Sequence, residues 1–464
     1  MSHFEQQQKR LQQFGQEHLL HFWDILSDAE RHHLLQEIEG VDLELITRII
    51  QESTATTPQT TRSELDSITP IRGQAWESLD ISERAALANQ GMRALREGKA
   101  AAFLVAGGQG TRLGFSGPKG AFDIGLPSHK SLFQLQAERL LQLGKQCGKP
   151  IRWYIMTSVE NHKETLAFFD AHKNFGMGME QIRFFTQGEL PVVDTAGKIL
   201  LFQKGKLSMG PNGNGGCFQA LSENGILDEM RMHGVEWVFT YGVDNALVKV
   251  CDPRFLGYAM SSGLPAAGKT VAKAHAQERV GVFCLRDKLP SVIEYSEMTP
   301  EMNQRTNAQG ELLFGSANLA IHLFRRDFLE EQAQGALPYH IAFKTIPFIN
   351  TQGQLVTPSS PNAFKFELFM FDLFPKTKGM ALLEVLREEE FAPVKNPPTA
   401  EADSPLTARR LILNLHRHWA LQAGYSDADL AGMEIEVSPL TSYAGEGLSK
   451  TSFQSHPELP LLTA

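Results

Sequence analysis

The chain has 464 residues, of which 42% are hydrophobic and 21% are charged, a mixture typical of a globular protein. At roughly 150 residues per domain, that length predicts about two or three domains. The formal net charge of −9 provides no overall basic surface for a nucleic-acid backbone, so nucleic acid is excluded as an expected partner.

The spacing of the cysteines and the length of the apolar runs indicate the cellular compartment of the protein. No C-x-x-C pair and no metal-ligand spacing links the cysteines, which argues against a disulfide framework or a structural zinc; they are Cys147, Cys217, Cys251 and Cys284. The first residues are polar, and the apolar runs are far shorter than the roughly 20 residues that span a bilayer. We therefore expect a cytoplasmic protein with reduced thiols and no membrane partner.

The first elements in the chain are predicted to be helices. Apolar residues recur at spacings of three and four between Glu5 and about Ser53. Ser27 and Glu30 form a capping-box signature for the second helix, and Gly40 is expected to end it. Residues 53–75 are rich in Thr, Ser and Pro, which predicts an extended connection at a domain boundary.

From Ile81 onward the pattern alternates between helices and short apolar strands. The predicted helices are Ile81–Gly98, Leu132–Leu143, Lys163–His172, Cys217–His233 and Leu406–Ala423. The predicted strands are Ala101–Ala106, Ile151–Thr157, Ile182–Phe185, Trp237–Tyr241 and Val280–Leu285, with a short strand and loops over Met433–Gly447. This alternation predicts an α/β fold with a mostly parallel, layered sheet.

A glycine-rich segment, AGGQGTRLG, follows the first strand of this α/β part and is the strongest local signal. It spans residues 106–114 and is followed by Pro118, Lys119 and Gly120. Glycines after a strand let the backbone approach a ligand, and successive amides form a concave anion site. The spacing excludes a Walker A loop and a dinucleotide fingerprint. Arg112 and Lys119 favour phosphate binding over a purely structural turn.

Two further loops carry candidate ligand groups. GPNGNGG at residues 210–216 precedes a predicted helix, whose N-terminus favours a nearby anion, although a flexible loop would have the same composition. Asp244 and Asn245 follow the strand that ends at Tyr241, at the sheet edge where open α/β folds bind ligands. A carboxylate there suits Mg²⁺ held jointly with phosphates, although such a pair alone is more often a turn.

Several other polar residues lie in apolar stretches of the sequence. For each of them, a ligand contact and a solvent-facing position are both compatible with the sequence. They are Glu294, Asn318, Lys365, Glu367 and Lys395. Phe369 and Phe371 are by themselves more often core than pocket, and the histidines match no catalytic motif.

The quoted segments resemble the eukaryotic-type UDP-N-acetylhexosamine pyrophosphorylases, within the wider family of UTP:sugar-1-phosphate uridylyltransferases. The resemblance extends over nearly the whole chain, from GQEHLLHFW at residues 15–23 to SYAGEGL at residues 442–448. Between these ends it includes the glycine-rich segment with PKG, GLPS, SLFQ, QAER, FTQG, PNGNGG, VDN, DPRF, VGV, EYSE, KFE and FAPVKN.

The resemblance implies a central nucleotide-binding domain of the glycosyltransferase-A, Rossmann-like type with a mixed, mostly parallel sheet. An N-terminal helical domain with its linker would occupy residues 1–97, the catalytic domain residues 98–380, and a small C-terminal domain residues 381–464. The implied partners are UTP and a sugar 1-phosphate, with Mg²⁺ or Mn²⁺ as cofactor. The oligomeric state, monomer or dimer, stays open.

The resemblance also assigns roles to residues. Arg112, Lys119 and Lys395 would be catalytic cations that neutralise phosphate charge. The nucleotide would contact Ala106, Gly107, Gly108, Gln109, Gln187, Gly213, Asp244 and Lys365. The sugar would contact Asn214, Gly281, Glu294, Asn318, Phe369 and Phe371. Asp244 would hold the metal.

The implied activity is formation of UDP-N-acetylglucosamine and pyrophosphate by in-line attack on the α-phosphate of UTP, in a reversible reaction. Two departures bear on the sugar: Asn212 replaces the family's usual Asp, and Ala317–His322 lacks one usual Gly and one usual Asn. A glucose-1-phosphate or broad-specificity UDP-sugar pyrophosphorylase is therefore the nearest alternative. A non-catalytic nucleotide-sugar-binding protein is a third possibility, which the full set of cations and the Asp244 carboxylate disfavours.

Overall fold

The computed structural model describes residues 2–55, 67–333, 335, 337–456 and 460–464. Its helices, in chain order, are α1 His3–Gln13, α2 Asp28–Gly40, α3 Leu43–Ala55, α4 Ile81–Glu97, α5 Leu132–Cys147, α6 His162–Ala171, α7 Cys217–Glu223, α8 Ile226–Met232, α9 Pro253–Ser261, α10 Pro300–Gln304, α11 Arg326–Ala333, α12 Arg387–Glu390 and α13 Pro405–Gln422.

The strands, in chain order, are β1 Ile68–Pro70, β2 Gln74–Ala75, β3 Ala100–Val105, β4 Trp153–Thr157, β5 Ile182–Thr186, β6 Glu189–Pro191, β7 Val193–Asp194, β8 Leu201–Gln203, β9 Lys206–Leu207, β10 Met209–Pro211, β11 Trp237–Gly242, β12 Ala266–Ala272, β13 Val282–Arg286, β14 Leu289–Ile293, β15 Ser316–Arg325, β16 His340–Lys344, β17 Phe348–Ile349, β18 Leu355–Val356, β19 Ala363–Glu367, β20 Ala381–Glu384, β21 Glu434–Glu436, β22 Gln454–His456 and β23 Leu461–Thr463.

The chain divides into two compact units, each assembled from three separate stretches. The first unit contains residues 1–62, 187–219 and 336–373, and the second contains residues 63–186, 220–335 and 374–464. In both units, segments far apart in sequence therefore pack against each other.

The second unit is built on one mixed sheet with the strand order β2-β20-β12-β15-β11-β3-β4-β5. The pairs β2/β20, β20/β12, β11/β3, β3/β4 and β4/β5 are parallel, whereas β15 is antiparallel to both of its neighbours on this path. Strands β3 and β4 are almost wholly apolar and buried, as expected for parallel strands covered on both faces. The predicted α/β fold with a mostly parallel sheet is confirmed.

This topology brings several loops to one edge of the sheet. Because β3, β4 and β11 are parallel neighbours, the loops that follow them leave from the same edge. Strand β15 runs the opposite way beside β11, with Thr240 paired to His322, so the start of β15 lies at that edge as well.

The first unit joins the N-terminal helices to short sheets from the middle of the chain. Leu11 of α1, Leu34 of α2 and Ile46 of α3 share a core with Ile199 and Phe366. The ring Nε2 atom of His18 lies 2.8 Å from the carbonyl oxygen of Ile199. The N-terminal helices thus support the segments that contain several predicted nucleotide contacts.

Several predicted boundaries are confirmed, and one helix is corrected. Ser27 and Glu30 form the capping box of α2, which ends at Gly40. The helix expected over Cys217–His233 is instead two helices, α7 and α8, because Gly225 adopts a left-handed conformation between them, with φ of 69°. The connection predicted for residues 53–75 lies partly outside the described residues, since residues 56–66 are not described.

All four cysteines are free and buried. Within the described part of the chain, no helix has both the length and the low charge that crossing a lipid bilayer would require.

Candidate active site

The glycine-rich loop after β3 folds back on itself and so brings Lys119 to its start. The Gly110 amide donates to the Gly117 carbonyl at 2.9 Å, and the Lys119 amide donates to the Gly108 carbonyl at 3.1 Å. Gln109 and Pro118 pair between these two hydrogen bonds. The predicted phosphate-contacting residues of this segment therefore belong to one closed turn.

Asn161 stabilises this turn through hydrogen bonds of its side chain. The sequence analysis did not identify it. Its side chain is fully buried, and its Nδ2 atom donates to the Ala106 carbonyl at 3.0 Å. Its Oδ1 atom accepts from the amide of Ser158 at 3.0 Å, which fixes the orientation of the carboxamide. Asn161 follows β4, the neighbour of β3, and that position at the sheet edge is the one signal that could have identified it.

Lys119 interacts electrostatically with one carboxylate and two further cations. Burial lowers the pKa of Lys119; Asp244 offsets part of this shift, whereas Lys395 and Arg112 lower the pKa further. These four groups come from three separate chain segments, all of which belong to the second unit.

The loop that contains Asp244 is anchored on both sides. From α5, Gln136 donates to the Val243 carbonyl at 3.2 Å, and Arg139 donates to the Ala246 carbonyl at 2.8 Å. From the other side, the Val394 amide donates to the Asp244 carbonyl at 2.8 Å, directly before Lys395.

Three of the predicted sugar contacts lie together beside this cluster. The Asn318 amide donates to the Gly281 carbonyl at 2.9 Å. A Cβ atom at Gly281 would approach the Glu294 carboxylate to 3.0 Å, so this position favours glycine. Burial raises the pKa of Glu294, as does Glu297, whereas Lys395 lowers it. A partly buried carboxylate and an amide are thus available beside the cationic cluster.

The other predicted nucleotide contacts lie in the first unit, around the second glycine loop. Gln187 donates from Nε2 to the Gly213 carbonyl at 2.6 Å and to Oδ1 of Asn212 at 3.2 Å. Gly213 has a φ of 84°, and a Cβ atom there would lie 2.4 Å from the Leu368 carbonyl oxygen. A side chain at position 213 is excluded for both reasons. Since Asn212 and aspartate present the same acceptor oxygen, the departure at position 212 preserves the contact with Gln187.

An aromatic wall in the first unit contains Phe369 and Phe371, whose ring centroids are 5.1 Å apart. His340 stacks on Phe369 at 4.2 Å, and its Nε2 atom lies 2.7 Å from Asp372. Asn214 fixes the start of this wall by accepting from the Met370 amide at 2.9 Å. The sequence analysis did not identify His340.

Lys365 lies close to Gly210. A Cβ atom added at Gly210 would be 3.4 Å from the Nζ atom of Lys365.

The acidic groups at the site suit a metal that is shared with substrate. Among the described residues, no group of three or more His, Cys, Asp or Glu side chains forms a metal cage. Mg²⁺ commonly takes only one or two protein carboxylates and completes its shell with water and substrate phosphates. The half-buried Asp244, with cations beside it for the phosphates, fits that arrangement.

A glycine-rich turn, cations and a carboxylate at the edge of a mixed α/β sheet are the features expected of a nucleotidyltransferase with a Rossmann-like fold. The chain belongs to the family described as UTP–glucose-1-phosphate uridylyltransferase, whose model matches residues 44–435.

Individual relatives within this family cover nearly the whole chain. UDP-N-acetylglucosamine diphosphorylase 2 of Arabidopsis thaliana is 42% identical over 95% of this chain and 90% of its own. UDP-N-acetylglucosamine pyrophosphorylase of Saccharomyces cerevisiae is 40% identical over 94% of both chains. The crystal structure of the Trypanosoma brucei uridine diphosphate N-acetylglucosamine pyrophosphorylase superposes with a TM-score of 0.85 at 29% identity, covering 100% of this chain and 98% of that one.

Proposed function

We propose that the chain transfers the uridylyl group of UTP to N-acetylglucosamine 1-phosphate, forming UDP-N-acetylglucosamine and releasing pyrophosphate. The observation that carries the proposal is the closed glycine-rich turn that contains Lys119, together with the hydrogen bond that joins the Asp244 backbone to Val394, next to Lys395. The full-length similarity to enzymes named for UDP-N-acetylglucosamine supports the choice of sugar.

The reaction needs charge compensation more than a protein base. A phosphate monoester has a second pKa of about 6, so the sugar phosphate is largely dianionic at neutral pH. It can therefore attack the α-phosphorus of UTP without a protein base. One of its oxygens forms a bond to the α-phosphorus of UTP, and the bond from that phosphorus to the bridging oxygen of the β-phosphate breaks. Pyrophosphate leaves with that electron pair. Lys119 and Arg112 are suited to hold the polyphosphate, and Lys395 is suited to offset charge as the two anions meet.

Asp244 would hold Mg²⁺ or Mn²⁺ in this reaction, which makes the metal ion part of the proposal. When bound, such an ion neutralises phosphate charge and orients phosphate oxygens. The same chemistry permits the reverse reaction, in which pyrophosphate attacks the nucleotide sugar.

The two departures in Ala317–His322 lie away from the proposed sugar-binding face. Ala317 and Ile321 are each 1% exposed and pack in the apolar core of the large sheet. Asn318 lies between them in sequence and is not part of that core; its amide donates to the Gly281 carbonyl at 2.9 Å. The missing glycine and asparagine therefore alter the core, which supports retention of the N-acetylhexosamine pocket.

The test is pyrophosphate release from UTP and Mg²⁺ with a panel of sugar 1-phosphates that includes N-acetylglucosamine, N-acetylgalactosamine and glucose. We expect the highest specificity constant with N-acetylglucosamine 1-phosphate. A higher value for the glucose ester would establish the alternative substrate, and no release with any sugar would refute uridylyl transfer altogether. Lys119→Met should lower turnover by at least about 100-fold. Lys145→Met, at an exposed position on α5, is the matched control.

A further inference from the structure

Asn245, the residue after Asp244, has a side chain that connects two loops far apart in sequence. It is 5% exposed, and its Nδ2 atom donates to the Glu390 carbonyl at 2.7 Å, across 145 positions of sequence. Its Oδ1 atom accepts from the Ala392 amide at 2.9 Å and from the Leu247 amide at 3.2 Å. The carboxamide therefore bonds both to its own loop and to the segment that leads to Lys395.

The main chains of the two loops also pair around Asn245. Asn245 and Pro393 face each other as an antiparallel bridge. On one side of this bridge the Ala246 amide donates to the Ala392 carbonyl at 3.0 Å, and on the other the Val394 amide donates to the Asp244 carbonyl at 2.8 Å. The backbone of Asp244 is thereby fixed one residue away from Lys395.

The segment around Lys395 is held on its far side too. The amides of Lys395 and Asn396 donate to the Asp403 carbonyl at 2.7 Å and 2.9 Å. Asp403 itself adopts a left-handed backbone conformation, with φ of 53°. The side chain of Lys395 therefore extends from a stretch of backbone whose amides are hydrogen-bonded at Val394, Lys395 and Asn396.

Glu390, whose carbonyl receives the Asn245 hydrogen bond, is anchored in the interior. Its carboxylate is 3% exposed and pairs with the fully buried Lys269. Lys269 also pairs with Asp252 at 2.6 Å. The Lys395 segment is therefore tied to a fixed point of the core, and Asn245 transmits that constraint to the Asp244 loop.

We propose that Asn245 is a positioning residue that sets the separation between the Asp244 carboxylate and the Lys395 ammonium group. We call the three side-chain hydrogen bonds of Asn245 the Asn245 clamp. The effect of this clamp on catalysis rests on the proposed function, whereas the existence of the clamp does not. Misplacing reacting groups by about 1 Å can cost on the order of 100-fold in rate. A turn-forming asparagine without this role would affect stability but would leave the chemistry unchanged.

The first test is steady-state kinetics of Asn245→Ala and Asn245→Asp with UTP and N-acetylglucosamine 1-phosphate. Aspartate keeps an acceptor for Ala392 and loses the donor to Glu390. We expect kcat to fall by at least about tenfold in both variants, while the KM for UTP changes by less than about threefold, because the side-chain hydrogen bonds of Asn245 go to Glu390, Ala392 and Leu247 rather than to the glycine-rich loop. Unchanged kcat would overturn the proposal, as would a loss confined to the KM for UTP.

Asn362→Ala is the matched control. Asn362 similarly uses both polar ends of its side chain, accepting from the Ile346 amide at 2.8 Å and donating to the Ile346 carbonyl at 3.1 Å. It lies outside the predicted site, so its loss should lower the thermal midpoint without changing kcat. If Asn245→Ala does not fold, Asn245→Ser retains a smaller donor and acceptor and takes its place.

The second test is amide hydrogen exchange, which separates the clamp from the proposed function. In Asn245→Ala the amides of Ala392 and Val394 should lose protection, while those of the glycine-rich loop keep it. Unchanged protection at Ala392 and Val394 would refute the clamp even if kcat fell. If the unsubstituted chain turned over no sugar phosphate, the proposed function would fail, and the exchange result would still decide the clamp.

Discussion

The imidazole Nε2 atom of His322 lies 3.1 Å from the Oδ1 atom of Asn318. His322 is 2% exposed, and burial lowers its pKa to about 3, so the ring is neutral in the physiological range. Donation from Nε2 to Asn318 is then the arrangement that satisfies the carboxamide oxygen, which also accepts from the Ala320 amide at 2.9 Å. The oxygen of Asn318 thus takes part in two hydrogen bonds within the protein, which fix the orientation of its carboxamide.

His322→Phe should weaken recognition of the sugar without affecting the nucleotide. Phenylalanine fits the aromatic surroundings formed by Phe283, Phe324 and Phe374, but it cannot orient Asn318. We expect the KM for the sugar 1-phosphate to rise by about tenfold, the equivalent of one hydrogen bond, at an unchanged KM for UTP. Steady-state kinetics with each substrate varied in turn provide the measurement.

The matched control is His416→Phe. His416 is also buried, with a pKa lowered to about 3 by burial and by the Arg139 charge, and it accepts from the Val437 amide at 3.1 Å. Because it belongs to the C-terminal part of the second unit, its loss should reduce stability and leave the KM for the sugar 1-phosphate unchanged. Equal effects of the two substitutions on that KM would contradict the role of His322.

The pH dependence of UTP binding should reveal the environment of Lys119. Burial lowers its pKa, and Lys395 and Arg112 add to the effect, with only partial compensation by Asp244. Lys119 should therefore lose its charge at a pH below the ordinary lysine value of about 10.4, and kcat/KM for UTP should fall along that alkaline limb. In Lys119→Arg the limb should move to higher pH. An identical limb in this variant would assign the ionisation to another group.

Asn161→Ala should loosen the glycine-rich turn. The substitution removes the hydrogen bond to the Ala106 carbonyl and leaves that buried carbonyl without this donor. We expect the KM for UTP to rise by about fivefold or more, with a smaller change in the KM for the sugar phosphate. Thr165→Val, which removes a buried hydrogen bond to the Asn161 carbonyl one turn further along the chain, is the control and should leave the KM for UTP unchanged.

Lys269→Met should destabilise the second unit strongly. Lys269 is fully buried and forms a triad with Asp252 and Glu390. Methionine would leave Asp252 without its ion-pair partner and Glu390 with only the longer ion pair to Lys249, at 3.6 Å. Removal of one partner from a buried ion pair typically costs about 3–5 kcal/mol. Chemical denaturation should show this loss, and combining Lys269→Met with Asp252→Asn and Glu390→Gln should recover part of it. If the unfolding free energy of Lys269→Met were unchanged, the Lys269 charge would not be stabilising the two buried carboxylates.

The same triad predicts sensitivity to acid. Burial is the largest single influence on Asp252 and would raise its pKa, but the charges of Lys269, Arg254 and Lys249 and the hydrogen bond from Lys269 together leave that pKa below its usual value. A carboxylate with a lowered folded-state pKa contributes stability above its unfolded pKa, and this contribution is lost as pH falls through the folded value. The unfolding free energy should therefore decline below the ordinary aspartate range, and the decline should be shallower in the triple variant.

Local features of this protein could be predicted from its sequence because they depend on neighbouring residues. The capping box of Ser27 and Glu30, the apolar strand after Gly98 and the glycine-rich turn each require only a short segment. The alternation of helices and strands predicted the α/β class correctly. The break at Gly225 was missed because a glycine within an apolar pattern does not reveal whether its backbone will be left-handed.

The resemblance to a family supplied candidate residues, and the folded chain determined their supporting contacts. Asn161 and His322 hydrogen-bond to the predicted site residues Ala106 and Asn318, and neither stands out in the sequence. Asn245 stood out only as a candidate ligand group beside Asp244, whereas its side chain donates to the Glu390 carbonyl. Asn245 and Glu390 are separated by 145 positions, and their contact exists only after the core has brought both loops together.

The sequence by itself therefore determined the local elements, the acidic composition and the types of group available for phosphate chemistry. Only the tertiary structure decided that the Asp244 loop is hydrogen-bonded to the segment that contains Lys395, and that N-terminal helices share a core with residues 187–219 and 336–373. The physical reason is that strand order and long-range packing select which loops meet. The free energy that holds them comes from burial shared among distant segments, which no local pattern specifies.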